Sequence, residues 1–338
     1  MSTPTVSIIT PTWNRKILLR EAMESVRAQT YPTWEHLIVD DGSDDGSDDG
    51  TVAMVKTVAK SDARVRLVRR SGEASGANVC RNIGLRESRG EFVVFLDSDD
   101  LLAPSCLERR VALLLRNLDL DFATFQTGFF VETVGDRRQE KPEEIHGDDL
   151  LRFLTFELPW IITAPIWRRE ALEKLNGFDE TLPSWHDVDL HIRAICGGLK
   201  YLRIPEIDNH VRWQFEETKV SVKQRRSPEH LHAAENTLVK FEEYVRCGPG
   251  IDWSRQRALC RLYFFLAERW IDIRALRYAQ RAWSICCKRG LLPWYVYLSG
   301  KVLLLLKQTN PKSELTRRII NKWIGVVRMR LNPDLIRK

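Results

Sequence analysis

The sequence lacks a paired cysteine motif, a recognisable secretory leader and a hydrophobic run of membrane-spanning length. Its seven cysteines are scattered, and the adjacent pair Cys286 and Cys287 has none of the CxxC spacing typical of zinc or redox sites. The first residues, MSTPTVSIIT, have no basic segment before a long apolar stretch, because Thr10 and Thr12 interrupt the apolar run. These absences predict a cytoplasmic protein with reduced core thiols and no secretory signal.

Composition and charge indicate a folded protein with one unusual region. With 43% hydrophobic and 29% charged residues, the chain is neither disordered nor fibrous, and 338 residues suffice for one large and one smaller domain. From Ile251 to Lys338, 19 Lys and Arg stand against 5 Asp and Glu, a balance of +14, whereas the rest carries 33 against 41, a balance of −8. The C-terminal quarter alone is therefore expected to face an anionic partner.

Short apolar runs alternate with amphipathic segments over the first hundred residues. The runs rich in β-branched or aromatic residues predict buried parallel strands, at Val6–Ile9, His36–Val39, Val65–Val68 and Phe92–Leu96. Between these strands, apolar residues recur at helical spacing and predict helices over Lys16–Arg27, Thr51–Ala59 and Ala77–Arg86. This βαβαβ order predicts an α/β, doubly wound sheet, in which ligands bind beyond the carboxyl ends of the strands.

The strand pattern fades near Pro228. Long helices are predicted over His230–Val245 and Ser254–Lys288, with a break at residues 247–250 and no clean repeat, although paired helices of solenoid type fit as well. The predicted domains are residues 1–225, with the doubly wound sheet, and residues 226–338, a basic α-helical domain.

Polar and aromatic residues follow the first two predicted strands. After the first come Pro11, Thr12, Trp13 and Arg15, where a base could stack on the indole while the arginine faces a phosphate; a packed tryptophan in a turn is the alternative. After the second come Asp40 and Asp41, whose carboxylates could accept hydrogen bonds from a uracil or ribose. An acidic turn capping the next helix explains this pair equally well.

Three carboxylates follow the fourth strand, in Asp97-Ser98-Asp99-Asp100. They repel one another unless a cation compensates them, and oxygen ligands suit Mg²⁺ or Mn²⁺, so the pattern favours a divalent metal that bridges a diphosphate. The alternative, an N-cap for a helix over Leu101–Leu114, explains one aspartate but not all three.

Taken in order, these segments resemble the family 2 glycosyltransferases over about residues 5–225. The resemblance rests on Pro11 to Arg15, on Asp40-Asp41-Gly42-Ser43, on Arg81-Asn82-Ile83-Gly84, and on Asp97-Ser98-Asp99 as the DXD motif. It implies a Rossmann-like mixed sheet of GT-A type and a nucleotide-sugar donor. Donor binding is then expected of Pro11, Thr12, Trp13, Arg15, Asp40, Asp41, Arg81, Asp97 and Ser98, and metal binding of Asp97 and Asp99.

The resemblance extends to a catalytic base. Asp187, in Trp185-His186-Asp187-Val188-Asp189, resembles the family's catalytic aspartate, which takes the proton of the attacking hydroxyl. His186 replaces the usual glutamate and, with Trp185, is assigned to the acceptor; it could relay a proton or simply face solvent at a helix start. Asp189 is expected to orient the helix through Arg193.

A second departure from the family pattern lies in Val211-Arg212-Trp213-Gln214. Gln214 stands where many family members have a histidine that helps hold the metal or the diphosphate. A glutamine amide is a neutral and weaker ligand, so the metal dependence is expected to differ.

The apolar stretch Gly290–Lys307 is shorter than the ~20 residues of a transmembrane helix. It fits a segment lying on an anionic membrane surface, or a buried helix of a small bundle whose basic residues form the solvated face. No recognition motif supports binding to nucleic acid.

Together the patterns predict a metal-dependent, inverting hexosyl- or N-acetylhexosaminyl-transferase. It would move a sugar from a nucleoside diphosphate, UDP in the first instance, to a glycan or lipid-linked saccharide at the cytoplasmic face of the membrane. A sugar nucleotidyltransferase would need a glycine-rich basic loop after the first strand, where this chain has Trp13-Asn14-Arg15. A non-catalytic scaffold that binds glycan or membrane is the remaining alternative.

Overall fold

The chain forms two compact units. The computed structural model describes residues 5–43, 49–137, 147–213, 227–291, 294–308 and 318. The first unit comprises Met1–His146, Trp160–Thr181 and His186–Gln214, and the second comprises Gly147–Pro159, Leu182–Trp185 and Phe215–Lys338. The second unit thus includes two short segments that precede residue 225, in addition to the C-terminal helices.

The first unit is built on a mixed eight-stranded sheet. Its strands are β1 (Val6–Thr12), β2 (Trp34–Asp40), β3 (Val65–Arg69), β4 (Phe92–Phe95), β5 (Leu101–Leu102), β6 (Phe122–Phe130), β7 (Pro165–Arg168) and β8 (Tyr201–Arg212). They lie in the order β3-β2-β1-β4-β7-β6-β8-β5. The pairs β3–β2, β2–β1, β1–β4 and β6–β8 are parallel, whereas β7 is antiparallel to both of its neighbours. The predicted mixed, doubly wound sheet is confirmed.

The described helices are α1 (Lys16–Arg27), α2 (Thr51–Ser61), α3 (Ala77–Glu87), α4 (Cys106–Arg116), α5 (Asp149–Leu154), α6 (Arg169–Lys174), α7 (His186–Cys196), α8 (Pro228–Cys247), α9 (Trp253–Asp272), α10 (Leu276–Lys288) and α11 (Trp294–Gln308). In the first unit, α1 buries one face of residues at helical spacing: Leu19, Ala22, Met23 and Val26. These side chains join the apolar residues of β1, β2 and β4 in one hydrophobic core.

One prediction about this unit was wrong, and several strands were not predicted. The helix expected over Leu101–Leu114 begins only at Cys106, because Leu101 and Leu102 instead form β5 and pair with His210 and Asn209 of β8. The strands β6, β7 and β8 were not predicted. β8 contains Pro205 and several charged residues, so it has no alternating pattern, and its ladder with β6 is irregular near Phe125 to Thr127.

The second unit is helical. α9 packs against α5, α8, α10 and α11, and is buried around most of its circumference. The predicted break at residues 247–250 is confirmed, since α8 ends at Cys247 and Gly250 has a φ of 84°. The helical stretch predicted over Ser254–Lys288 consists of two helices, α9 and α10, separated by a turn in which Arg274 has a φ of 62°.

The last described helix, α11, has one packed side and one exposed side. Gly300 lies against the indole of Trp283, whose Nε1 donates a hydrogen bond to the Tyr297 carbonyl (2.9 Å), and Leu304 is buried. The exposed side carries Leu298, Val302, Leu305 and Leu306. The helix therefore packs in a helical bundle, as one alternative expected, while the exposed side chains described on α11 are apolar rather than basic. None of the helices that the structure describes is long and apolar enough to cross a membrane.

Candidate active site

The carboxyl ends of β1, β2 and β4 lie side by side in the first unit. Thr12, the last residue of β1, is in register with Asp40, the last residue of β2, and β4 pairs with the other edge of β1. The fold therefore brings together three of the polar segments that the sequence analysis selected. Pro11 and Thr12 are buried within this edge.

The segment after β1 holds an exposed tryptophan. The Trp13 side chain is 59% exposed, which excludes a packed tryptophan in a turn. The neighbouring backbone is anchored, since Asn14 N donates to Ser43 Oγ (3.1 Å) and Arg15 N donates to Thr51 Oγ1 (3.1 Å). Trp13 thus presents an apolar ring to solvent from a fixed position at the edge of the sheet.

The two aspartates after β2 differ in their surroundings. Asp40 is fully buried and accepts hydrogen bonds from Ser43 N with both oxygens (3.2 Å each). Asp41 forms an ion pair with Arg70 (Nε to Oδ1, 2.6 Å) and accepts a hydrogen bond from Gly76 N (2.9 Å). Both carboxylates hold the surrounding loops, so a contact between Asp40 and a base requires residues 41–43 to rearrange.

The segment Asp97–Asp100, which follows β4, is called the acidic turn. Each of its three carboxylates has different partners. Arg81, which is 2% exposed, binds Asp97 (Nη2 to Oδ1, 2.6 Å), and Arg15 binds Asp99 (Nη1 to Oδ2, 2.8 Å). Asp100 is turned inward, where it accepts hydrogen bonds from Thr163 Oγ1 (2.9 Å) and Arg212 N (3.3 Å). Ser98 is buried in the same turn.

These ion pairs reduce the electrostatic need for a metal ion at the acidic turn. Crowding of three carboxylates was expected to require a divalent cation, but two arginines supply positive charge to Asp97 and Asp99. Among the described residues no group of three or more His, Cys, Asp or Glu side chains is arranged to hold a metal ion. A metal site here would need oxygen ligands from a substrate.

The electrostatics of the acidic turn separate Asp97 from Asp100. Burial acts to raise the pKa of Asp97, but the charge and hydrogen bond of Arg81, with smaller effects of His186 and Arg15, outweigh it and lower the pKa. Burial and the neighbouring charges of Asp97 and Asp99 raise the pKa of Asp100 well above its ordinary value, against the hydrogen bonds from Thr163 and Arg212. Asp97 is the carboxylate kept ionised, whereas Asp100 is the structural member of the turn.

The predicted catalytic pair begins α7. His186 and Asp187 are its first two residues, and Asp187 accepts a hydrogen bond from Val188 N through Oδ1 (2.9 Å). Burial, and the charge of Arg81, lower the pKa of His186 despite the opposing charges of Asp187 and Asp97. The ring is thus a neutral, half-buried imidazole within electrostatic reach of Asp97. The helix start is confirmed, and the ring is half-buried, so it does not simply face solvent.

The other predicted residues have contacts of their own or lie outside the described residues. The expected pair of Asp189 with Arg193 is confirmed (Oδ2 to Nε, 2.8 Å), and it ties α7 to the Leu175 carbonyl. Trp185 belongs to the second unit, where its ring packs against Phe156 with centroids 5.0 Å apart. Gln214 lies outside the described residues.

Arg212 is the residue whose role sequence reasoning missed. It is mostly buried; its backbone binds Asp100, its Nε approaches the Asp99 carbonyl (3.4 Å), and its guanidinium pairs with Glu21 of α1. The sequence does contain a signal for this role, because Arg212 stands at the arginine position of the segment that resembles the family's R-x-H. The sequence interpretation assigned a role only to the histidine position of that segment. Arg212 holds the acidic turn against β8.

The mixed sheet, the acidic turn and the aspartate at the start of α7 define a GT-A glycosyltransferase fold. The chain belongs to glycosyl transferase family 2, whose sequence model matches residues 7–175. An uncharacterised glycosyltransferase of Methanocaldococcus jannaschii is 26% identical over 62% of this chain and 74% of its own length. WfgD of Escherichia coli, a UDP-Glc:α-D-GlcNAc-diphosphoundecaprenol β-1,3-glucosyltransferase, is 37% identical over 33% of this chain and 42% of its own length. The chain spans about half the length of several other curated relatives.

Two solved structures share the fold over almost the whole chain. Staphylococcus aureus TarS in complex with UDP-GlcNAc has a TM-score of 0.65 at 16% identity, and the likeness covers 95% of this chain and 92% of that chain. The mannosyltransferase PcManGT of Pyrobaculum calidifontis, in complex with GDP-Man and Mn²⁺, has a TM-score of 0.54 at 20% identity, over 100% and 89% of the two chains. At these identities the likeness establishes the fold.

Proposed function

We propose that the protein transfers a hexose or N-acetylhexosamine, with inversion, from a nucleoside diphosphate sugar to a hydroxyl of a glycan or lipid-linked saccharide. The observation that carries the proposal is the acidic turn, held between Arg15 and Arg81 and close to the neutral His186 that precedes Asp187. UDP is the first donor nucleotide to test, because relatives of this chain use or bind UDP sugars.

The donor is expected to lie across the ends of β1, β2 and β4. Trp13 offers a face on which a base can stack, and Arg15 offers a cation for the diphosphate. Arg81 acts through Asp97, since it is buried and bonded to that carboxylate. Family membership supports these assignments, which extend to Pro11, Thr12, Asp40, Asp41 and Ser98.

A divalent ion fits the acidic turn in one way. Mg²⁺ and Mn²⁺ commonly bind through one or two carboxylates together with substrate phosphate oxygens, so the two carboxylates of Asp97 and Asp99 suffice once a donor diphosphate is present. When bound, such an ion would supply positive charge to the departing diphosphate. Gln214 is the remaining sequence-based candidate for this set.

The transfer itself needs a base and a leaving group. In the proposed step the acceptor oxygen bonds to the anomeric carbon while the bond from that carbon to the diphosphate oxygen breaks, and the nucleoside diphosphate leaves with the electron pair. Asp187 takes the hydroxyl proton, and His186, being neutral, remains able to donate or accept a hydrogen bond beside it.

The exposed apolar side of α11 supports a peripheral membrane location. Leu298, Val302, Leu305 and Leu306 would enter the interface, and the excess of Lys and Arg after residue 251 would meet anionic lipid at the cytoplasmic face. This location suits a lipid-linked acceptor of the kind that WfgD uses.

The test is hydrolysis and binding of a panel of nucleotide sugars with Mn²⁺, Mg²⁺ or EDTA. Turnover of one donor should be lost in Asp99→Ala and Asp187→Asn, while donor binding measured by calorimetry persists in Asp187→Asn. Arg109→Gln, which removes an exposed ion pair with Glu206, is the control and should behave as wild type. Failure to bind any donor, with or without metal, would overturn the transferase assignment and favour a scaffold.

A further inference from the structure

A second exposed aromatic and basic cluster lies beside the acidic turn, at the β8 side of the sheet. It consists of Phe129, Arg137 and Trp213, and is called the aromatic rim. The Phe129 and Trp213 side chains are 38% and 44% exposed, and their rings meet edge to face with centroids 5.9 Å apart. The Arg137 guanidinium lies 4.8 Å from the centre of a Trp213 ring. Large aromatic rings held at the surface in this way commonly mark binding sites.

The aromatic rim is tied to the acidic turn through Arg212. Trp213 N donates a hydrogen bond to the Phe130 carbonyl (2.6 Å), which continues the pairing of β6 with β8. Arg212 in turn donates from its backbone to Asp100 and from Nε to the Asp99 carbonyl, and its Nη1 reaches the Val131 carbonyl (3.1 Å). The rim and the acidic turn therefore keep a fixed relative position.

The turn that precedes Arg137 is stabilised by hydrogen bonds to Asp136. The Asp136 carboxylate accepts hydrogen bonds from the backbone N atoms of Val131 (3.0 Å), Glu132 (2.7 Å) and Thr133 (3.0 Å), which closes the turn after β6. Arg137 follows directly on this turn and faces the indole of Trp213. The backbone of Arg137 is therefore fixed by a hydrogen-bonded turn, although the Arg137 side chain is exposed.

The position of the rim separates it from the donor. Trp13 and Arg15 reach the acidic turn from β1, on one side of β4, whereas Trp213 follows β8, on the other side of β4 in the sheet order. Asp99 is contacted from both sides, by Arg15 at its carboxylate and by Arg212 at its carbonyl. Because an inverting transfer requires the acceptor to approach opposite the leaving diphosphate, acceptor and donor must occupy different sides of the reacting carbon.

We propose that the aromatic rim is the acceptor subsite of the transferase described above, so this inference rests on the proposed function. One pyranose packs the apolar face formed by its axial C–H groups on the Phe129–Trp213 pair. An anionic group on the same acceptor, a phosphate or a sugar carboxylate, pairs with Arg137. The acceptor class is therefore a saccharide that carries an anion.

The experiment measures binding to the full-length chain by calorimetry and saturation-transfer NMR, in the presence of UDP. Three probes separate the possible anions: N-acetylglucosamine diphosphate decyl ester, methyl glucuronide and the neutral methyl N-acetylglucosaminide. The variants are Trp213→Ala and Arg137→Gln. Trp253→Ala is a matched control, since Trp253 is 52% exposed beneath Arg257 (4.4 Å) but lies in the second unit.

Trp213→Ala is expected to weaken the best anionic probe roughly tenfold, with UDP affinity unchanged. Arg137→Gln should weaken the anionic probes and not the neutral one, and the preferred probe tells phosphate from carboxylate. Any of three outcomes would overturn the proposal. Trp213→Ala could bind the probes as well as the wild type, Trp253→Ala could lose as much probe affinity as Trp213→Ala, or Trp213→Ala could lose UDP affinity in parallel with probe affinity. A wild-type protein that binds UDP and none of the probes would also overturn it, whereas failure to bind any donor of the nucleotide-sugar panel would instead refute the transferase function.

Discussion

Asp99 is the carboxylate for which Arg15 and the proposed metal ion would compete. Arg15 occupies it in the structure, and the Arg15 side chain is 43% exposed, so the arginine can leave without unfolding its surroundings. Arg81, at Asp97, is buried and cannot. A metal ion that binds Asp99 must displace Arg15, and the displaced arginine is then available to the donor diphosphate. Metal and donor binding are therefore expected to support each other.

Arg15→Gln should consequently affect the two ligands in opposite directions. Without donor, Mn²⁺ should bind more tightly, by at most about fivefold, since an exposed ion pair contributes about 1 kcal/mol or less. The UDP sugar should bind less tightly. Mn²⁺ titration by electron paramagnetic resonance and donor calorimetry measure these changes, with Arg109→Gln as the control. Equal Mn²⁺ affinity in both proteins would contradict the competition.

His36 makes the sheet sensitive to acid. It is fully buried in β2, its Nε2 lies 2.9 Å from Thr10 Oγ1, and burial lowers its pKa to about 3. An unfolded chain takes up a proton at this residue below pH ~6.5, but the folded protein does not. The contribution of His36 to the free energy of unfolding is therefore complete above that pH, and it is lost as the pH falls towards 3.

His36→Gln should reduce the pH dependence of the free energy of unfolding. Between pH 7 and pH 5 the wild-type protein should lose about 2 kcal/mol at this residue. Urea denaturation at several pH values measures the slope, which is independent of any constant cost of the substitution. His191, whose pKa burial lowers to about 4, should leave a residual slope of the same sign. An unchanged slope in His36→Gln would show that His36 titrates normally.

At the scale of elements, α3 lies close to β1 because Gly84 has no side chain. A methyl group there would overlap Cγ2 of Ile9 and lie 3.3 Å from Cγ2 of Val39. This contact gives the Arg81-Asn82-Ile83-Gly84 motif a structural reason: the glycine allows the close approach by which Arg81 reaches Asp97.

Gly84→Ala should destabilise the protein by about 1–3 kcal/mol, although alanine favours helix by about 1 kcal/mol over glycine. Ile9→Ala in the same chain removes the overlapping groups, so the double variant should lose less than the sum of the single losses. Chemical denaturation of the four proteins measures this coupling. Strict additivity would mean that the helix shifts away from β1 without strain.

For the whole molecule, the exposed side of α11 predicts binding to lipid vesicles. A double substitution Val302→Gln and Leu305→Gln should weaken binding to anionic vesicles roughly tenfold, because two apolar side chains no longer enter the interface. Sedimentation with anionic and neutral vesicles at several salt concentrations measures the effect. The control is Leu118→Gln, at a residue 75% exposed in the first unit. Equal loss in the control, or no preference for anionic lipid, would refute a specific role of α11.

The sequence by itself determined the first half of the sheet and the strand ends at which the candidate site lies. Strands β1 to β4 and helices α1 to α3 follow from local periodicity, and Trp13, Asp40, Asp97 and Asp187 stand where a motif meets a strand end or a helix start. Such patterns depend only on residues that are neighbours in the sequence, so they can be recognised without knowing the fold. The segment after residue 100 was less legible, because β5 exists only through its pairing with β8.

Only the tertiary structure decided how the charges of the acidic turn are paired. Arg15 and Asp99 are 84 residues apart in the chain, and Asp100 and Arg212 are 112 apart. The three aspartates of the acidic turn look alike in sequence, yet one is held by a buried arginine, one by an exposed arginine, and one turns inward with a raised pKa. Distance and burial set these differences, and both arise only when the strands assemble. The aromatic rim has the same origin, since Phe129 and Trp213 meet only where β6 pairs with β8.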